Sequence, residues 1–415
     1  MNYGVWALVA LLIAAAVVEL SRNPKRVLIG SFILWSVQHA LLAISYGLRN
    51  GDDKSPYVRP LVLFACFLGG SASALAWTAQ GVYFAFASRK HAGLTGMDLK
   101  SAMAYLAMLF VSLELVSEAM CRVGASVMIT VMDLSGMGLL SGLCALGAIA
   151  TCFADDLTEA NTPTASALAA TGPTESTPLS KEPKEEPKTI DVAAAPPTIK
   201  DAFANGLRAA GSSMYLLATS LTAILLLTFC VLKGVEEVYI ADYVNGELTA
   251  NTLGASNVGF LTAIGVAVGG ISGVAFPYIT PLTGRSTIMV AGILAWGLPA
   301  LADLVLHAAN APGATTTMII LDYIGYGVGR AVFDSTFRVV CASLFPHRVE
   351  QIFALLRFGE GSAAFVVFNI CPCEHGVPVR ELVLALACIS LACYALAEKL
   401  NGYGRLDVTG APAVA

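Results

Sequence analysis

The sequence predicts an all-α polytopic membrane protein, with two helical bundles joined by a long polar linker, and three observations carry that reading. Only 13% of the 415 residues are charged, against 56% hydrophobic and a mean hydropathy of +0.72. Soluble domains carry about 25% charged residues, so half that density calls for a nonaqueous surrounding. Apolar runs of about 20 residues, enough to cross roughly 30 Å of hydrocarbon, alternate with short charged stretches. Residues 154–203 then turn abruptly to Ala, Thr, Pro, Glu and Lys, as in Ser180-Lys181-Glu182-Pro183-Lys184-Glu185-Glu186-Pro187. Such a stretch cannot bury enough apolar area to offset its ordering entropy, so it is expected to be disordered.

Five runs precede this linker, at 3–20, 28–48, 60–86, 101–121 and 125–153. Six follow it, at 208–232, 255–279, 286–306, 315–343, 350–371 and 379–397. About 11 spans are therefore expected: an N-terminal bundle over 1–153, the linker 154–203, a C-terminal bundle over 204–400 and a tail over 401–415. The first run has no basic front, and its basic flank (Arg22, Lys25, Arg26) follows it, so it reads as a retained helix rather than a signal peptide. The loops holding Arg22, Lys25, Arg26 and Arg89, Lys90, Lys100 share one side, which the positive-inside rule makes cytoplasmic. Alternation puts the linker and tail there too and Met1 outside, in a plasma membrane or an endomembrane. Arg49, Lys54 and Arg59 argue the other way, diluted by Asp52 and Asp53.

Composition also excludes functions. No basic run with interleaved aromatics points to nucleic acid. The ten cysteines are scattered, with no Cys-x-x-Cys pair or His/Cys cluster, so neither a metal nor another cofactor is expected. Cys371-Pro372-Cys373 reads as a helix-end turn. No Ser/His/Asp set or phosphate loop suggests an enzyme. Lys233 reads as lying at a span end, which speaks against a retinal pigment.

Ionisable residues at bilayer depth are costly and usually face a bundle interior or a water-filled cavity. Glu114, Glu118 and Arg122 lie four apart on one helix face. A turn near Gly124 would bring Asp133 to the depth of Glu114, as a proton- or cation-coupling pair or as part of an ion-paired cluster near the outer interface. Asp322, Tyr326, Arg330, Asp334 and Arg338 form a second stripe, and Arg357 and Glu360 on the next helix could meet its cytoplasmic end. This is either a gate that exchanges salt bridges, with Arg330 reaching an anion in the cavity, or a static network. Asp334 is expected to lie within salt-bridge distance of Arg330, Arg338 or Arg357. Glu236 and Glu237 read as an acidic vestibule or a solvated helix end, and Gln80 as the side chain best placed to point into a cavity. His39 reads as a lone hydrogen-bonded histidine, and the four-residue spacing of Gly265, Gly269 and Gly273 as close helix packing.

Three stretches carry a resemblance. Gly69-Gly70-Ser71 followed by Trp77-Thr78-Ala79-Gln80-Gly81-Val82-Tyr83 resembles the fourth helix of the Unc-ninety-three-like (ion channel regulatory protein) family of the major facilitator superfamily. Gly234-Val235-Glu236-Glu237-Val238-Tyr239-Ile240-Ala241-Asp242-Tyr243 resembles the end of its seventh helix. Gly325-Tyr326-Gly327-Val328-Gly329-Arg330 through Leu344-Phe345-Pro346 resembles its tenth. The resemblance implies two six-helix halves built of three-helix repeats, with helices one, four, seven and ten around a central cavity. Tyr3-Gly4-Val5-Trp6-Ala7-Leu8 already looks like the second helix, so the first family helix has no counterpart here. The resemblance implies a regulatory or trafficking subunit for an ion channel or receptor. The alternative is a secondary transporter of a small solute or ion, coupled to protons or a cation such as potassium.

Overall fold

The computed structural model describes residues 2–21, 23–51, 57–97, 99–132, 136–156, 199–308, 314–345, 348–370 and 377–401. Most of the linker, Asp133 and Cys371-Pro372-Cys373 lie outside the described residues. All regular structure among the described residues is helical.

The N-terminal bundle comprises α1 (Asn2–Leu12), α2 (Ala14–Ser21), α3 (Pro24–Gly51), α4 (Val58–Thr95), α5 (Leu99–Met132) and α6 (Gly136–Cys152). The first expected run is thus interrupted at Ile13. The expected turn near Gly124 is absent, because α5 continues through it to Met132. Small residues let α3 lie between α4 and α6. Gly69 of α4 sits against the Gln38 side chain, Gly147 of α6 against the Phe32 ring, and the Ser36 and Ser141 hydroxyls each donate to the other's carbonyl at 2.9 Å. His39 Nδ1 lies 2.7 Å from the Trp35 carbonyl of its own helix.

Beyond the linker come α7 (Ile199–Thr219) and the rod α8 (Leu221–Leu253), which meet at 103°. Ser220 makes the corner. It is extended at φ −111° and ψ 106°, and its hydroxyl accepts the Ala223 N–H, capping α8. The gap between the expected runs 208–232 and 255–279 is instead helix, since α8 runs on as a π-helical stretch over Tyr239–Thr249 and a last turn, Ala250–Leu253. Asp242, Asn245 and Glu247 give that stretch the polarity of a loop, but Tyr239, Ile240, Tyr243 and Val244 bury its other face. Gly254 and Gly284, at φ +91° and +85°, make the turns into and out of α9 (Ala255–Thr283). Next come α10 (Arg285–Ala308), then α11, built of Ala314–Val332, the π-helical Phe333–Phe337 and Arg338–Leu344. Last are α12 (Val349–Ile370) and α13 (Val377–Asn401).

Seven described helices are long and apolar enough to cross a membrane, or eight if Gly206–Thr219 and Leu221–Leu253 form one bent span. The other expected runs are helical too. The α1/α2 pair and α6 are short, and α11 carries four charged residues that lower its hydropathy. Large apolar side chains such as Leu113, Met120, Ile271 and Leu282 face outward, as lipid-facing residues must.

Two helix pairs make the longest contacts between the bundles, and a third, α2 on α7, brings Gly206 against Ala16. Helix α5 runs antiparallel along α9, with Val111 near Gly273, Leu115 near Gly270 and Ser126 against Gly259. Helix α1 packs on α12, where Gly361 admits Ala7 and the Tyr3 carbonyl, and Gly4 admits the Phe365 ring. Within the second bundle, Gly265 and Gly269 of α9 meet the Tyr323 and Gly327 carbonyls of α11. The Gly265/Gly269/Gly273 stripe thus serves close packing, in which dispersion replaces the hydrophobic drive that lipid cannot supply.

Candidate functional site

Between these two seams the charged residues of α5, α8, α11 and α12 converge. Four-residue spacing on α11 stacks Tyr326, Arg330, Asp334 and Arg338 along the face turned to α5, α8 and α12. Arg330 reaches across the bundles to α5, with Nη2 2.6 Å from Glu118 Oε2 and 3.8 Å from Glu114 Oε1. Its Nε lies 3.6 Å from Asp334 on its own helix. Arg122 grips the other Glu118 oxygen at 2.6 Å. Asp334 is also ion-paired to Arg338 and lies 3.7 Å from Arg357 of α12, so all three candidate guanidinium groups surround it. Arg357 in turn donates to Glu360 at 2.8 Å.

The network closes through α8. Lys233 pairs with Glu237 and lies 3.8 Å from Glu360. The Tyr326 hydroxyl donates to Glu237 at 3.2 Å and accepts from Arg330 at 3.5 Å. Opposite, Trp77 of α4 offers its ring to Arg357 at 4.4 Å and to Arg338 at 5.5 Å, a cation–π contact from the first bundle to the second. A cavity of about 470 Å³ opens beside the network, lined by Glu118, Arg122, Ser126, Leu140, Ser256 and Gly259. A smaller one of about 150 Å³ lies among Tyr3, Trp6, Ser73 and Trp77.

Several expected placements change. Glu236, Glu237 and Lys233 are neither an outer vestibule nor a helix end. Lys233 lies roughly 18 Å along a rod of roughly 50 Å, and it and Glu236 are each 2% exposed. The apolar run ends near Lys233, but the helix continues, and neighbouring helices bury what hydropathy alone assigns to water. Glu114 meets Arg330 of α11, and α5 passes Gly124 without the expected turn; its expected partner Asp133 lies outside the described residues. Among the described residues no hydrogen bond joins Gln80 to the network; Trp77, one turn earlier, makes the contact. Asp322 leaves the stripe and turns into the second bundle, where Tyr239 donates to its Oδ1 at 3.1 Å. There also lies a pair unseen in the sequence: Arg380 of α13 donates to Asp303 of α10 at 2.8 Å, with the Tyr243 hydroxyl at 3.4 Å and its ring 5.3 Å from the guanidinium. Each is a charge inside an apolar run, a signal that marks both residues without pairing them.

Away from the spans, Asp155 and Asp156 follow α6 and fold back onto the first bundle. Asp155 accepts from Lys90 at 2.7 Å, and this hydrogen bond and charge hold its carboxyl below the ordinary carboxylate range. Asp156 accepts from Asn23 at 3.0 Å and pairs with Lys25 at 3.4 Å, which lower it likewise. Among the described residues no group of three or more His, Cys, Asp or Glu side chains is arranged to hold a metal ion.

Two helical bundles, sealed pairwise and enclosing a charged core, define a polytopic membrane protein of major-facilitator-like fold. Solved structures with the same architecture include the nucleoside transporter NupG (TM-score 0.51, 14% identity, 96% of this chain and 90% of that one). A bacterial homologue of the iron transporter ferroportin, outward-facing with soaked iron, matches at TM-score 0.51 and 14% identity over 97% and 89% of the two chains. An auto-inhibited POT family peptide transporter matches at 0.52 and 12% over 99% and 89%. At these identities the likeness establishes the fold. No family model and no curated protein matches the sequence.

Proposed function

We propose that the protein is a secondary transporter that moves a small, carboxylate-bearing solute between the bundles by alternating access. The observation that carries this reading is the Arg330–Glu118 pair at 2.6 Å, which joins α11 to α5 beside a cavity of about 470 Å³. Bundles that separate must break that pair, leaving Arg330 with only the longer contact to Asp334 of its own helix, at 3.6 Å, while Glu118 keeps Arg122. A solute carboxylate that takes the place of Glu118 on Arg330 restores the close pair that separation removes. Occupancy then favours movement, since a ligand shifts a conformational equilibrium only by its differential affinity for the two states. The Arg338/Arg357 clamp on Trp77 is the companion contact, proposed to close the cytoplasmic side. Transporters with this fold carry nucleosides, peptides and iron by their names, so the solute class is argued from the charges, not from the fold.

The motif likeness to Unc-ninety-three-like proteins raises a second reading, an accessory subunit for an ion channel or receptor. Proteoliposome uptake separates the two. With a panel of radiolabelled amino acids, dipeptides and short-chain carboxylates, at least one solute is taken up saturably, and Arg330→Gln lowers that uptake at least tenfold. Absence of uptake across the panel, with a channel or receptor copurifying with the full chain, would overturn the transport reading.

A further inference from the structure

A second charged site lies inside the C-terminal bundle, away from the seam. Glu236 of α8 and Asp322 of α11 are 2% and 1% exposed. Each has one carboxylate oxygen, Glu236 Oε2 and Asp322 Oδ2, that is buried and without a hydrogen-bond partner. The helices place the two groups together: Tyr239, one turn beyond Glu236, donates to Asp322 Oδ1 at 3.1 Å. Nearby cations are taken. Arg380 of α13 is held by Asp303 of α10 at 2.8 Å, and Lys233 of α8 is held by Glu237 and, at 3.8 Å, by Glu360 of α12. Among the described residues no Lys or Arg lies within salt-bridge distance of either Glu236 or Asp322. The other titratable groups facing this space are the Asp303 carboxylate of α10 and the phenols of Tyr239 and Tyr243 on α8; α9 carries no charged residue.

Two buried carboxylates, each with an oxygen that no protein donor or cation reaches, are what buried ionisable groups avoid. An oxygen lacking both a cation and a donor forfeits its hydration with nothing in return. One bound proton removes both defects, because a protonated carboxyl turns an orphaned acceptor into a donor and cancels one of two adjacent like charges. We propose that Glu236 and Asp322 form a proton-binding site within the C-terminal bundle, separate from the solute site at Arg330. Its consequence for transport rests on the function proposed above, but the bound proton does not. Adjacent residues of α8 connect the sites: Glu236 faces Asp322, whereas Glu237 belongs to the seam network with Lys233 and Tyr326. Loading or release of the proton therefore changes charge on the two rods, α8 and α11, that carry the gate.

Infrared difference spectroscopy across a pH titration tests this without a transported solute, using the purified full chain in lipid bilayers. A buried protonated carboxyl has a carbonyl stretch distinct from that of a carboxylate. The expected result is a titrating carbonyl band lost in Glu236→Gln or Asp322→Asn and retained in Glu114→Gln. Glu236→Asp and Asp322→Glu keep an acid in place and should displace the band, which secures the test should the amide variants fail to fold. Absence of the band in the unsubstituted chain, its persistence unchanged in all four site variants, or its loss only in Glu114→Gln would overturn the proposal. So would a response of the band to sodium or potassium with none to pH, which would make this a monovalent-cation site.

Discussion

At the residue scale, Arg330 holds the account together. Its guanidinium meets Glu118, Glu114 and Asp334 on two helices, a geometry that the planar fork of arginine suits and a lysine ammonium does not. Glu118 keeps Arg122, and Asp334 keeps Arg338 and Arg357, when Arg330 is removed. Arg330→Lys is therefore expected to fold, with thermal stability close to that of the parent, yet to lose most uptake; uptake and Tm measured on the same preparation check both halves. Asp303→Asn should act in the opposite way, since it strips the counter-charge from Arg380, which is 2% exposed. A loss of about 3–5 kcal/mol is expected, read as a lowered Tm. The stripe on α11 and the Glu118–Arg122 pair were legible in the sequence because each lies on one helix at four-residue spacing. Asp303 and Arg380 are 77 positions apart on separate helices, and no local pattern can pair them.

At the scale of elements, close crossings decide which helices move together. A Cβ on Gly327 would run into the Gly265 backbone of α9, and one on Gly265 into the Tyr323 carbonyl. Gly327→Val is expected to destabilise the protein by about 1–3 kcal/mol through overpacking, whereas Gly81→Ala, with nothing within 4 Å of its added carbon, should not; melting curves of the two variants check this. The hydrogen bonds of Asp155 and Asp156 sit at the root of the linker and are fully exposed. Because their carboxyls are held low, any contribution they make is present above the usual carboxylate pKa and lost as pH falls through the lowered one. Lys90→Ala should leave Tm at neutral pH unchanged. The apolar runs marked nearly every helix, and the linker's composition break was equally plain. What they missed was the length of α5 and α8. Gly124 reads as a turn, and the stretch between the runs 208–232 and 255–279 as lying outside any span, because hydropathy registers side-chain polarity and not the tertiary burial that lets a helix continue.

At the scale of the whole molecule, the transport reading proposed above requires the antiparallel seams α5/α9 and α1/α12 to part or slide as one bundle moves against the other, and the charged core between them to rearrange. The two-bundle architecture followed from spacing and composition, but the contact of α5 with α9 depends on which small residues face each other and lay beyond any single-sequence pattern. The central claim, that the bundles move relative to each other to pass a solute, is tested most directly at this seam. Ser126 of α5 touches the point where a Cβ on Gly259 of α9 would stand, so Ser126→Cys with Gly259→Cys can be cross-linked by oxidation. With the native cysteines replaced by serine, uptake into proteoliposomes should fall at least tenfold on oxidation and return on reduction. Uptake that continues unchanged while the cross-link is shown to be complete would contradict the account.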